Sequence, residues 1–215
     1  MLRVFTFFIL LLSFASCKLF HSKRIDSIKG GGSYIAKIDS NFQKSICSIH
    51  STHSRGVIFP AEYAKQIFGR NGRGKNIAFF TPDSTLIKKV DKEINYQYCA
   101  ANEKHWINLF WPENDTVKRV ISEEQKRAIS KISAKFCLNW QQNWIFYDRQ
   151  YIGVITPTGE RVILIQLIDF RKDPHKYKQI FTSSWISGWH GWFSSNIILV
   201  YFNVPTNSLT MDGDI

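Results

Sequence analysis

Residues 69–75 have the glycine and lysine spacing of a phosphate-binding loop, Gly-Arg-Asn-Gly-Arg-Gly-Lys. In such a loop the backbone N–H groups and the lysine hold phosphates, and the Ser or Thr that follows holds Mg²⁺. Asn76 occupies that last position here. The loop also requires a strand before it and a helix after it, whereas this sequence predicts the opposite order. We therefore interpret 69–75 as a basic surface turn.

Cys47, His50 and His53 are spaced by three residues and carry side chains that bind zinc. A structural zinc site needs four ligands, and the sequence offers no second cluster nearby. Serine and threonine residues surround the three, as is typical of a solvated loop. We predict no metal site and no cofactor.

Asp148 with His175 or His190 supplies two of the residue types of a catalytic triad. The chain has neither the Gly-x-Ser-x-Gly turn of serine hydrolases nor the His-Glu-x-x-His motif of zinc proteases. Glu123 and Glu124 fall in the first turn of a predicted helix, where the helix dipole accounts for them. We therefore name no catalytic residue.

Aromatic residues crowd one short segment beside Gly188 and Gly191. The four that form this candidate binding loop are Trp185, Trp189, Trp192 and Phe193. Aromatic rings beside glycines can stack on sugars or enter an interface. They can equally cover the face of a sheet as a hydrophobic lid. We predict the lid, so that the loop is structural before it is functional.

Residues 1–16 have the form of a secretory signal peptide. Arg3 is followed by an apolar run over 4–14, and the small residues Ala15 and Ser16 precede Cys17. This order of charge, apolar run and small residues is typical of a cleaved signal. The run is shorter than the roughly 20 residues that span a bilayer. We predict cleavage before Cys17.

Phe14-Ala15-Ser16-Cys17 resembles the bacterial lipobox, with Phe14 where an aliphatic residue is usual. The resemblance implies that the Cys17 thiol forms a thioether to diacylglycerol and that its freed amine is acylated. Two or three acyl chains make a durable membrane anchor, whereas one is marginal. The alternative is cleavage by the ordinary signal peptidase, which leaves Cys17 as a thiol.

The remaining chain divides into three stretches. Residues 17–32 form a basic tether that ends in three glycines, which favour flexibility. Residues 33–80 are an N-terminal extension of uncertain structure, with short strands predicted over 34–36, 57–59 and 77–80 and a short helix over 61–68. Residues 81–215 form the main domain.

Three cysteines remain beyond Cys17, namely Cys47, Cys99 and Cys137. An oxidising compartment permits one disulfide among them, and the sequence does not choose among the three pairings. Cys99 and Cys137 each lie near the end of a predicted helix. We interpret both as buried small apolar residues.

Two helices are predicted by apolar residues that recur every three or four positions. The first begins at Thr81 as N-cap and runs to about residue 100, with one stripe at Leu86, Val90, Ile94 and Tyr98. The second opens with a capping box, Ser122-Glu123-Glu124-Gln125, and its stripe consists of Ile129, Ile132, Phe136 and Trp140. We expect both stripes to lie in the core.

The last third of the chain predicts strands over 145–155, 162–168, 197–204 and 209–211, with turn residues between them. Helices followed by antiparallel hairpins predict an α+β fold. We expect two helices packed on one face of a four-stranded antiparallel meander.

Residues 147–153, Tyr-Asp-Arg-Gln-Tyr-Ile-Gly, and 158–163, Thr-Gly-Glu-Arg-Val-Ile, resemble uncharacterised lipoproteins of the Bacteroidota. Those proteins show an Arg-Gln-Tyr-Ile-Gly strand, a Gly-Glu/Asp-Lys turn and a closing strand pair. The resemblance covers roughly residues 81–215. This chain differs from those proteins at 188–193. It has Gly-Trp-His-Gly-Trp-Phe there, whereas they tend to have Asp-Gly-Gly followed by aromatic residues. The resemblance implies a fold and an envelope location, and it implies no activity.

The formal net charge is +11, which can attract an anionic partner. The basic residues are spread along the chain, so a mixed, solvated surface is the default interpretation. Because an exported protein rarely meets nucleic acid, we predict envelope glycans, a protein or anionic headgroups instead. The sequence thus predicts a membrane-anchored envelope lipoprotein, a non-catalytic binding module, with an envelope hydrolase as the alternative. Surface-exposed lipoproteins of the resembling bacteria tend to carry acidic residues just after the cysteine, whereas this chain has Lys18, Lys23 and Arg24. The resemblance therefore implies an outer-membrane position facing the periplasm. The sequence does not predict the oligomeric state.

Overall fold

One mixed β-sheet organises the chain. The computed structural model describes residues 47–50, 55–69, 77–110, 122–173, 175–188 and 191–212. The strands in these ranges are β1 (Cys47–His50), β2 (Arg55–Ile58), β3 (Ala78–Phe80), β4 (Tyr147–Ile155), β5 (Arg161–Asp169), β6 (Ile197–Asn203) and β7 (Ser208–Thr210).

Strands β4 to β7 are hydrogen-bonded in chain order, each antiparallel to the next. Three further strands join at the free edge of β4. There β2 runs parallel to β4, with Gly56 opposite Arg149, and β3 runs antiparallel, with Phe80 opposite Gly153. Strand β1 pairs with β2. The α+β class is confirmed, and the short strands predicted over 57–59 and 77–80 are present as β2 and β3. The sheet is larger than the predicted four-stranded meander, because β2 and β3 pair with β4, a strand far along the chain, and β1 pairs with β2.

The helices of the described residues are α1 (Ala61–Gly69), α2 (Ser84–Phe110), α3 (Glu123–Asn143) and the short α4 (Trp192–Asn196). The helix predicted over 61–68 is confirmed. The predicted capping box of α3 is also confirmed, since Ser122 Oγ accepts from Gln125 N at 3.2 Å and Gln125 Oε1 accepts from Ser122 N at 2.9 Å. None of these helices combines the length and apolar content needed to cross a membrane.

The start of α2 differs from the prediction. Asp83, not Thr81, caps the helix, because its carboxylate accepts the N–H of Leu86 at 2.8 Å. The Thr81 hydroxyl instead accepts the N–H of Ala61 at 3.0 Å, at the start of α1. The helix also continues to Phe110, ten residues beyond the predicted end, where α3 packs along it.

One face of the sheet is covered by α2. The predicted stripe of α2 lies in this core through Val90, Ile94 and Tyr98, which pack against residues such as Ile165 and Val200 of the strands. Helix α3 contributes Trp140, whose ring stacks on Tyr98 with centroids 4.3 Å apart.

The predicted stripe of α3 is only partly buried. Ile129 and Trp140 are buried, but Ile132 and Phe136 are 39% and 43% exposed. The expectation that the whole stripe lies in the core was wrong because α3 packs mainly against α2 rather than against the sheet.

The opposite face of the sheet is also covered, which the prediction of helices on one face did not include. Tyr63 and Ala64 of α1 pack there against Ile152 and Leu164 of the strands. The segment between β5 and β6 completes this second core. The sheet is therefore buried on both faces.

A disulfide between Cys99 and Cys137 joins α2 to α3, with the two Cα atoms 5.0 Å apart. Our interpretation of these residues as unbonded buried thiols was wrong. The antiparallel packing of the helices places them opposite each other, as it does Asn102 and Ser133, whose side chains are hydrogen-bonded at 3.1 Å. The Cys47 side chain lies outside the described residues.

We predict that replacing both cysteines, Cys99→Ala with Cys137→Ala, lowers the free energy of unfolding by about 4 kcal/mol. The crosslink closes a loop with a sequence separation of 38, and releasing it returns that much chain entropy to the unfolded state. Urea unfolding measures the loss. A reductant should destabilise the wild type by a similar amount and leave the double variant unchanged. A loss below about 1 kcal/mol would contradict the prediction.

Candidate functional site

Two residues of the predicted aromatic loop face inward. Trp185 is 4% exposed, its backbone N–H donates to the Tyr63 hydroxyl at 2.8 Å, and its ring meets Phe59 edge-on. Phe193 is also buried. Trp189 lies outside the described residues. Trp185 and Phe193 therefore belong to the cover of the sheet and do not present a recognition surface.

Trp192 is half-buried and connects this cover to the loop that follows β5. Its ring lies 5.1 Å from Tyr177 and 5.9 Å from Phe170, measured between centroids. Its indole N–H donates to the carbonyl oxygen of Lys172. Together with Phe193 these rings form a rigid aromatic base under residues 171–178.

A single buried glutamine fixes the covering segment to the sheet. Gln150 of β4 is fully buried, and its amide nitrogen donates to the carbonyls of Phe181 and Ser184, both at 2.7 Å. Its amide oxygen accepts the N–H of Ile186 at 3.0 Å. Breaking these bonds would leave buried polar groups unsatisfied, so this cover is held in one position.

An open depression of about 400 Å³ lies beside the aromatic base. We call it the basic depression, and its lining residues are Phe170, Arg171, Asp173, Lys176, Lys178 and Gln179. Asp173 is its acidic member, and Asp173 Oδ2 accepts the backbone N–H of Lys178 at 2.7 Å. The three basic lining residues, Arg171, Lys176 and Lys178, outnumber it. The depression therefore presents positive charge.

Arg171 is fixed by its neighbours. Its Nε and Nη2 donate to the carboxylate of Asp169 at 2.6 to 3.0 Å, and its Nη1 donates to Asn143 at 2.7 Å. The guanidinium also lies over the Phe146 ring, 4.6 Å from its centroid. Burial alone raises the pKa of Asp169, but the hydrogen bonds from Arg171 outweigh it and lower that pKa overall. This pair is a structural support of the depression.

The lysines differ from Arg171. Within the described part of the chain, no hydrogen bond or ion pair occupies the ammonium groups of Lys176 and Lys178. Lys176 has a φ of 58°, in the left-handed region that a residue with a Cβ seldom adopts. Backbone strain of this kind is more frequent at functional sites.

Among the described residues, no hydrogen bond joins Asp148 to His175, one of the two histidines considered for a triad. The Asp148 carboxylate accepts the backbone N–H of Arg55 at 3.2 Å and forms an ion pair with the Arg55 guanidinium, which joins β4 to β2. His175 is exposed, with its ring 5.3 Å from that of Tyr177, and His190 lies outside the described residues. The geometry of Asp148 is that of a structural clamp.

A second cluster of charged groups lies between α2 and β4. It was not predicted from the sequence. The Tyr151 hydroxyl donates to Asp91, whose carboxylate lies 3.6 Å from Nε of the buried Arg149. The Arg149 guanidinium also lies over the Trp144 ring. Burial raises the pKa of Asp91 although the charge of Arg149 lowers it. These groups contact one another beneath α2, so we assign them a structural role.

The remaining sequence candidates lie mostly outside the described residues. Cys47 and His50 belong to β1, but their side chains and His53 are not described. Among the described residues, no three or more histidine, cysteine or acidic side chains are arranged to hold a metal ion. Gly69 ends α1 and the next described strand is β3, so the predicted order of helix before and strand after the 69–75 segment is confirmed.

Comparison of the chain with protein-family models, curated proteins and solved structures gave no match. The resemblance to Bacteroidota lipoproteins therefore stays a prediction. The basic depression was not predicted from the sequence, because the cations were interpreted as spread along the chain. The signal that could have found it is the density of Arg171, Lys172, Lys176 and Lys178 directly after a strong strand.

We predict that Trp185→Ala lowers the free energy of unfolding by about 3–5 kcal/mol, because truncating a buried aromatic side chain leaves a cavity. Denaturant unfolding measures the loss. The matched control is Tyr96→Ala on α2, since Tyr96 is 72% exposed and its removal should change stability by at most about 0.5 kcal/mol. Equal, small effects of both substitutions would show that the Trp185 ring is not part of the core.

Proposed function

We propose that the chain is an exported bacterial envelope lipoprotein whose domain is a non-catalytic module that binds an anionic partner. The signal sequence and the lipobox at Cys17 support export and anchoring. The disulfide between Cys99 and Cys137 also supports export, because disulfides persist in oxidising compartments. Lys18, Lys23 and Arg24 favour the periplasmic side of the outer membrane.

The basic depression is the observation that carries the binding role. Two arginines of the described sheet are paired with carboxylates, Arg55 with Asp148 and Arg149 with Asp91. Lys176 and Lys178 of the depression are instead exposed to solvent. A surface region with charge of one sign attracts ligands of the other sign. We infer that the basic depression is where the module recognises its partner.

The two sides of the sheet support different roles. The meander β4 to β7, with α2 and α3 layered on one face, is the scaffold, and the cover on the other face carries the depression. Binding residues on loops held by a rigid scaffold are a common arrangement. The Asp148–Arg55 ion pair argues against the alternative envelope hydrolase, because it occupies the carboxylate that a triad would use.

We predict that Cys17→Ala releases the protein from membranes or leaves its signal uncleaved, because the lipidated thiol is the proposed anchor. Membrane fractionation and the mobility of the protein in gels measure the change. Cys47→Ala is the control and should fractionate like the wild type. Protease added to intact cells should leave the wild type uncut if it faces the periplasm. Identical fractionation and mobility of Cys17→Ala and wild type would rule out the anchor.

We predict that the full-length protein in neutral detergent binds an acidic polysaccharide such as polygalacturonate and does not bind neutral dextran. Affinity electrophoresis in gels containing each polymer measures the retardation, which added salt should abolish because exposed charges are screened. Lys178→Glu should weaken binding to polygalacturonate more than Lys88→Glu, which makes the same charge change on the exposed side of α2. Equal retardation of the two variants would contradict a binding role for the depression.

A further inference from the structure

We propose that α3 rests on the surface of an anionic lipid bilayer and gives the domain a second contact with the membrane, besides the proposed anchor at Cys17. This inference goes beyond the proposed binding module, because it involves a different surface of the protein. We call that surface the α3 surface. It consists of three exposed cations and three exposed apolar side chains, namely Arg127, Lys131, Lys135, Ile132, Phe136 and Leu138.

Exposed apolar side chains are confined to one part of the described structure. All the large ones among the described residues belong to α2, to α3 or to the turn directly after α3. On α3, Ile132 and Phe136 are four positions apart and therefore lie on the same side of the helix. The Phe136 ring stacks on that of Trp106 in α2, with centroids 5.4 Å apart, and Leu138 is 53% exposed. Grouped exposed apolar side chains of this kind mark a site of protein or membrane contact.

Three cations form a second row along α3, beside the apolar one. Arg127, Lys131 and Lys135 are exposed and follow one another at intervals of four residues, and each directly precedes residue 128, 132 or 136. Within the described part of the chain, no hydrogen bond or ion pair occupies their charged groups. The acidic residues of α3 lie only in its first turn. The rest of the helix therefore presents unpaired positive charge next to apolar side chains.

The two rows match the two layers of a bilayer surface. A helix that lies parallel to the membrane places its apolar side chains at the boundary between headgroups and acyl chains. The long side chains of its lysines extend to the level of the headgroups, where anionic lipid attracts them. A soluble anion would contact the cations and leave the apolar row in water. An anionic bilayer accommodates both rows, so we assign it as the partner of the α3 surface.

The proposed anchor makes this contact effective even where its intrinsic affinity is low. Residues 18–46 join Cys17 to β1, a length of chain sufficient for α3 to reach the bilayer. When Cys17 is held in the membrane, docking of α3 becomes an intramolecular step with a high effective concentration. The α3 surface therefore does not need the affinity of an independent membrane-binding helix.

The test places a photoreactive residue on the α3 surface of the full-length protein. The residue p-benzoylphenylalanine replaces Phe136, and the protein is reconstituted from detergent into vesicles of phosphatidylcholine, with or without phosphatidylglycerol. After illumination, mass spectrometry of the intact protein measures the fraction that has gained a lipid. We expect a lipid adduct in the anionic vesicles and about tenfold less in the neutral ones. The same residue in place of the exposed His175, beside the core on the other face of the sheet, should form little adduct in either.

The substitution Lys131→Gln/Lys135→Gln should lower the yield of the Phe136 adduct in anionic vesicles by about fivefold or more. Glutamine is chosen because it forms helix about as well as lysine does, so circular dichroism spectra should match the wild type. The matched control Lys65→Gln/Lys172→Gln removes two exposed lysines outside α2 and α3 and should leave the yield unchanged. Added salt screens exposed charges, so it should lower the yield without any substitution of lysine.

The other outcomes would overturn the inference in different ways. An absence of the Phe136 adduct in anionic vesicles would show that α3 does not contact lipid. Vesicle flotation then separates the two membrane contacts, because a protein that floats keeps the proposed anchor and one that does not float loses it as well. Equal yields in anionic and neutral vesicles, or in the two lysine variants, would show that the cations do not recognise the bilayer. An adduct with a second protein chain in place of lipid would assign the α3 surface to another copy of the protein.

Discussion

Both edges and both faces of β4 are occupied, and the rest of the structure depends on that strand. One edge pairs with β5 along its whole length, and the other is shared by β2 and β3. At Gly153 the backbone of β3 approaches so closely that a Cβ atom would collide with the carbonyl oxygen of Phe80. The absence of a side chain at this position is therefore a condition for β3 to join the sheet.

Polar side chains of β4 tie its two covering layers to the sheet. Arg149 faces the α2 side and lies close to Asp91, while Gln150 faces the other side and bonds the segment that carries Phe181 and Ile186. Burying such groups is costly unless they are fully bonded, so each layer has one favoured position. The precision of the basic depression follows from this, because its aromatic base packs against the segment that Gln150 holds.

The proposed membrane anchor and the proposed binding site depend on different interactions. The anchor at Cys17 depends on apolar acyl chains and carries no information about a ligand. The basic depression depends on charge and on a fixed backbone, and it contributes no membrane anchoring. The two proposed contacts therefore do not depend on the same interactions.

The sequence by itself determined those features that depend on residues close to one another in the chain. The capping box at Ser122, the apolar period of α2 and the β-branched run of β5 act over a few positions, so they predicted two helices, the later strands and the α+β class. The pairing of β2 with β4, the bond between Cys99 and Cys137 and the exposure of Phe136 depend on partners distant in the chain, and only the tertiary structure decided them. The basic depression belongs to this second group. Its lysines are visible in the sequence, but which basic residue each carboxylate pairs with, as Asp169 does with Arg171, is decided by the tertiary structure.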